Sequence, residues 1–155
     1  MKTAYSISEI TNQEYMTSKQ SQRIINSSFP NYFYKLEIAD SFIFIDSNDN
    51  STEFKLEYVD KYNELIFASE DRVYIFSTND AKVKFATRTF DPMHAIRILD
   101  GFYLLFTEKV MFSILSSNCS LLHSQSFPDL IEDIKVHGRN INVTCFGGNI
   151  FNVTV

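Results

Sequence analysis

The segment DGFYLLFTEKVMFSI (100–114) reads as an apolar run, a tight polar turn at Thr107, Glu108 and Lys109, and a second apolar run. The same grammar returns in NELIFASEDRVYIFS (63–77) and NINVTCFGGNIFNV (140–153), with Phe67, Leu105 and Cys145 at equivalent places, so the unit recurs about every 40 residues. Each central hairpin follows another strand-like run: FKLEYV (54–59), AIRIL (95–99) and IEDIKVH (131–137). The first two are also followed by one, KVKFATRTF (82–90) and SLLHSQSF (120–127), whereas the third has none before Val155. Alternation of Phe54, Leu56 and Tyr58 with Lys55 and Glu57 has the period of two that gives a strand one buried face, so the units are sheets. Upstream, YFYKLEIADSFIFIDSNDNS (32–51) adds two more runs and a polar turn from Ser47 to Ser51. Residues 1–31 are polar, and short irregular or helical turns are expected there, one of them starting at Thr17 or Ser18 and running through Gln22.

Four strands repeated at this spacing resemble a run of β-propeller blades over about two-thirds of the chain. The Trp-Asp and Gly-His signatures of the best-known blade family are missing, and there is no Trp at all. The expected fold class is therefore all-β, with antiparallel four-stranded blade-like units forming an open partial propeller; a β-sandwich or meander is the alternative. Closed propellers use 4–8 blades, and this chain supplies three units, or four if 32–51 forms a stunted one. An open fan leaves sheet edges that need protection, and Lys82, Lys84 and Arg88 suit that task. The absent last strand is expected to come from 32–38 or 41–46, or from a partner by strand addition.

At 155 residues the chain has the length of one domain, and 45% hydrophobic content with 15 Phe and 8 Tyr supplies a core. A net charge of −5 argues against nucleic acid, whose phosphates demand Lys and Arg, and favours a basic protein as partner. No apolar stretch has signal-peptide or membrane-span length, so a cytoplasmic location and no membrane partner are expected. Cys119 and Cys145 lack zinc-type spacing and read as reduced and buried, with one bridge between them as the alternative.

The chain carries no recognisable catalytic apparatus. His94, His123 and His137 fall on different connections, no Gly-rich phosphate loop or nucleophile motif occurs, and Gly147-Gly148 suits a primed hairpin turn. Adjacent acids such as Glu70-Asp71 and Glu132-Asp133 would point to opposite sides of a strand, and SNDNS lacks the spaced oxygens of a calcium loop. A non-enzyme without metal or cofactor is the expectation.

Charge placement is more telling. In a four-stranded blade, turns joining the second and third strands share a rim with links from the fourth strand to the next blade. That scheme gathers Glu70, Asp71, Asp91, Glu108, Asp129, Glu132 and Asp133 on one rim, against Arg72 and Lys109. The opposite rim, with Asp60, Lys61, Asp80, Asp100 and Arg139, is nearly balanced. An acidic rim with aromatic residues nearby can steer and then anchor a cationic protein.

In profile, small, acidic and without catalytic motifs, the chain resembles the immunity proteins of bacterial toxin systems, particularly those of contact-dependent growth inhibition. That resemblance implies binding of a cognate toxin domain, often a basic nuclease, and neutralisation by covering its active site. The seven rim acids would be the partner-binding residues. The alternative is a scaffolding subunit that self-associates through its open sheet edges.

Overall fold

A computed structural model describes residues 5–24, 30–38, 40–47, 54–69 and 71–155. Among these, the hairpins expected at 63–77, 100–114 and 140–153 are the centres of three successive sheets. The first of the three runs β5 (Lys55–Val59), β6 (Glu64–Ala68), β7 (Arg72–Ser77) and β8 (Val83–Arg88), each antiparallel to its neighbour in chain order. The next repeats that order with β9 (Met93–Leu99), β10 (Phe102–Thr107), β11 (Val110–Leu115) and β12 (Ser120–Ser126). The last has three strands, β13 (Ile131–His137), β14 (Asn140–Cys145) and β15 (Ile150–Thr154).

Side-chain chemistry sorts the strands within each sheet. β6 (ELIFA) and β10 (FYLLFT) are buried at every position, as apolar runs covered on both faces should be, and the burial extends to the polar Glu64 and Thr107 at their ends. The outer strands β8 and β12 are largely exposed, the apolar Val83, Leu121 and Leu122 included.

The N-terminal segment contributes more than irregular turns. β1 (Tyr5–Ile10) pairs antiparallel with β3 (Tyr32–Ile38), β3 with β4 (Ser41–Ser47), and the two-residue β2 (Arg23–Ile24) runs parallel to β4. Because β3 and β4 are the interior strands of the order β1-β3-β4-β2, neither can complete the last sheet, contrary to the expectation that 32–38 or 41–46 would do so. Their backbone groups are already committed to neighbours on both sides. The short helix α1 (Asn12–Thr17) begins with a capping box: Thr11 Oγ1 accepts from Glu14 N–H at 3.1 Å while the Glu14 carboxylate accepts from Thr11 N–H at 2.7 Å. Ser18 does not start a helical turn; its hydroxyl donates to Tyr15 O at the end of α1, and the following single turn of 3₁₀ helix spans Gln20–Gln22. The polar turn expected at Ser47–Ser51 falls mostly outside the described residues.

The chain divides into two compact units, Met1–Arg88 and Thr89–Val155. In the first, Tyr34, Leu36, Ile43 and Ile45 pack with Leu65, Phe67, Tyr74 and Phe76. Rings follow one another through this core, with Tyr34–Phe54 at 4.9 Å, Phe54–Phe67 at 5.0 Å and Tyr74–Phe76 at 5.8 Å between centroids. In the second, Leu104, Phe106 and Met111 pack with Ile131, Ile141, Val143 and Val153. Cys119 and Cys145 are both buried and are not joined in a disulfide.

Candidate functional site

In the second unit, three connections meet at one end of the sheets. Thr107 closes the β10–β11 turn, its hydroxyl accepting from Val110 N–H at 3.1 Å. The turn's own carbonyls then accept from the β12–β13 link: Glu108 O from Ile131 N–H at 2.8 Å and Lys109 O from Phe127 N–H at 2.7 Å. On the other side, Phe146 N–H of the β14–β15 loop donates to Leu130 O at 2.8 Å. Backbone hydrogen bonds therefore fix turn, link and loop side by side, and their side chains are presented on a rigid support.

Around this junction lies a shallow groove of about 190 Å3 lined by His94, Glu108, Leu130, Ile131, Glu132 and Phe146. Glu132 is the residue skipped where the β13–β14 register slips between Ile131 and Asp133, a bulge that re-aims its side chain. Asp129 sits in the same link, its carboxylate accepting from Leu130 N–H at 2.8 Å. Asp91 precedes Met93, the residue paired with Thr107, and so lies at this end too.

Apolar side chains are exposed among these acids. Phe146 is 61% exposed, Leu130 39% and Phe90 76%. Phe90 also holds a left-handed backbone at φ 64°, uncommon for an aromatic residue and a form of strain that concentrates at functional positions. Beneath the surface, burial pushes the Cys145 thiol up, away from the reactive thiolate. At the far end of these sheets Asp100 and Arg139 balance one another in charge, and the Arg139 guanidinium lies over the Phe102 ring at 5.2 Å.

Four of the seven rim acids thus gather at one end of the second unit: Asp91, Glu108, Asp129 and Glu132. Asp133 lies on β13 itself, where Lys135 Nζ is 3.8 Å from its carboxylate. Asp71 belongs to the first unit and is flanked by cations, with Arg88 Nε at 3.3 Å and Arg72 Nε at 3.9 Å. Glu70 lies outside the described residues. Pattern reading missed Phe90, His94, Leu130 and Phe146. For Phe146 a signal existed, because an aromatic residue immediately before Gly-Gly in a tight loop has no core to enter.

No family model and no curated protein matches the chain. Among solved structures, the chain is similar to the computationally designed Ika4 protein, with a TM-score of 0.57 at 9% identity over 90% of this chain and 94% of that one. It is also similar to Hsv2 of K. marxianus (TM-score 0.52, 11% identity, 79% of this chain and 44% of that one). Sqt1 of Saccharomyces cerevisiae matches with a TM-score of 0.53 at 8% identity, over 100% of this chain and 47% of that one. The fold is propeller-like. At these identities the likeness concerns architecture alone, and the chain spans less than half of Hsv2 and of Sqt1.

The groove is smaller than the roughly 300–1,000 Å3 clefts that enclose small ligands, and its size suits one or two inserted side chains. Among the described residues no group of three His, Cys, Asp or Glu side chains converges as metal ligands would. Carboxylates beside exposed rings form a surface that attracts a guanidinium or ammonium and gives its stem something apolar to cover.

Proposed function

We propose that this protein is a non-catalytic binder of a basic protein, and that it neutralises a toxin domain, such as a nuclease, by covering the cationic surface on which that toxin's substrate lies. The observation that carries the reading is the junction of Glu108, Asp129 and Glu132 with exposed Leu130 and Phe146, held by hydrogen bonds between three connections. Carboxylates on a rigid support raise encounter rates with a cationic partner, and apolar groups among them hold the contact once formed. A nuclease must be positive where nucleic acid binds, so an acidic surface competes for that groove.

The test has two stages. Co-purification from cells that produce the chain, with mass identification of what stays bound, should return a basic protein whose activity falls when the complex forms. Association of that protein with the variant Glu108→Lys/Asp129→Lys/Glu132→Lys should then be at least about tenfold slower at low salt, and less salt-dependent, than with the parent. An acidic partner, or an unchanged on-rate, overturns the proposal.

A further inference from the structure

The last sheet has three strands where its two predecessors in the chain have four, and among the described residues β15 pairs only with β14. Which groups β15 leaves outward follows from its register. Val155 N–H donates to Arg139 O at 3.1 Å and Cys145 N–H to Asn149 O at 2.8 Å. The odd-numbered residues therefore bond inward to β14, and by alternation the N–H and C=O groups of Ile150, Asn152 and Thr154 face away from the sheet. All three residues are exposed, Ile150 by 63%.

The fourth strands of the two preceding sheets are guarded. β8 carries Lys84 and Arg88 and meets β7 through a register slip between Ile75 and Phe76, and β12 meets β11 through a slip between Ser113 and Ile114. Along β15 the sequence NIFNVTV (149–155) has no charge and no proline, and its pairing with β14 has no slip. An edge without these devices is a template for a further strand.

We propose that β15 pairs antiparallel with β15 of a second copy of this chain, on a twofold axis through Asn152. The strand is self-complementary in that register. Asn152 lies opposite Asn152 of the second copy, and Ile150 opposite Thr154, so the three outward-facing residues of each copy form three mutually bonded pairs across the seam. On the face turned to the core, where Val153 is buried and Phe151 half-buried, Phe151 comes opposite Val153. Aromatic and β-branched side chains make favourable cross-strand pairs. No charge on the strand meets its like. A twofold pairing also closes, whereas β15 meeting a different edge of the next copy would propagate.

Sedimentation of the parent chain should show a dimer that dissociates on dilution. Asn152→Lys, which places two ammonium groups on the axis, should sediment as a monomer with an unchanged melting temperature and strand signal. Register is tested separately by oxidation. Asn152→Cys should cross-link between copies, because facing residues of such a pair lie about 5.5 Å apart, within disulfide reach. Ile150→Cys alone should not, since its partner is Thr154, while Ile150→Cys/Thr154→Cys should. The native cysteines are buried and do not compete. A parent chain that stays monomeric at the highest attainable concentration, a dimer that survives Asn152→Lys, or equal cross-linking of the two single-cysteine variants overturns the proposal.

Discussion

Glu64 is the least expected residue in the structure, a carboxylate with no exposed side-chain surface at the start of β6. Lys84 reaches it from β8 to form an ion pair, so this lysine neutralises a buried acid as well as protecting an edge. The other two basic residues near that edge are also paired, Lys82 with Asp80 at 3.5 Å and Arg88 with Asp71 at 3.3 Å. Lys84→Met should destabilise the fold by about 3 kcal/mol, because the acid then keeps its desolvation cost without the cation, and Glu64→Gln should recover part of the loss. Denaturant titration of the two single variants and the double variant measures it. Tyr15 gives a second case. It packs from α1 against Phe33 with ring centroids 4.9 Å apart, and its hydroxyl donates to buried Asp46 at 3.2 Å. Burial first, and then the neighbouring Asp46 charge, push its pKa up to about 12 from the ordinary 10.0. Since the folded value lies above the unfolded one, this tyrosine's contribution is complete below pH 10 and disappears as pH rises from 10 to about 12. Tyr15→Phe should remove that part of the alkaline decline, as read from melting temperatures across this range.

For the elements, the deciding information is how polar residues are spaced along each strand. Nearly continuous apolar runs became the interior strands β6, β7, β10 and β11, whereas alternation marked interior β3 and β14 as well as the edge strand β5, so the pattern located the hairpins without ranking each strand's place in its sheet. Turns were less legible. Gly147 and Gly148 do adopt positive φ, at 89° and 85°, but Gly148 N–H closes onto Cys145 O and Cys145 N–H bonds Asn149 O, giving a three-residue loop where a two-residue primed turn is expected. That extra residue is what carries Phe146 into solvent. A Cβ added at Gly147 would meet nothing within 4 Å, so Gly147→Ala isolates the backbone cost of left-handed φ, about 1 kcal/mol. Hydrogen exchange should show the loss confined to β14 and β15. In α1, the helical start expected at Thr17 or Ser18 lies instead at Thr11, where Glu14 stands three residues on as a capping box requires.

At the scale of the whole molecule, the net charge of −5 acts in opposite senses on the two proposed contacts. Attraction to a basic partner weakens as salt rises, because counterions screen it. Pairing of two like-charged copies through β15 strengthens, because the same screening relieves their repulsion. Measuring both equilibria at low and moderate salt should therefore give slopes of opposite sign. Equal signs would mean that one of the two contacts is not the one assigned.

By itself the sequence determined the strands from Tyr32 onward, their hairpin partners and the all-β propeller-like class, because those follow from local alternation and from turns a few residues long. Only the tertiary structure decided that the N-terminal segment supplies β1 and β2 to a sheet around β3 and β4, and that Lys84 answers Glu64. It also decided that Asp71 is screened by arginines while Glu108, Asp129 and Glu132 stand with exposed Leu130 and Phe146. These are contacts between residues far apart in the chain. Register and hydrogen bonds between connections set them, and no local pattern records either.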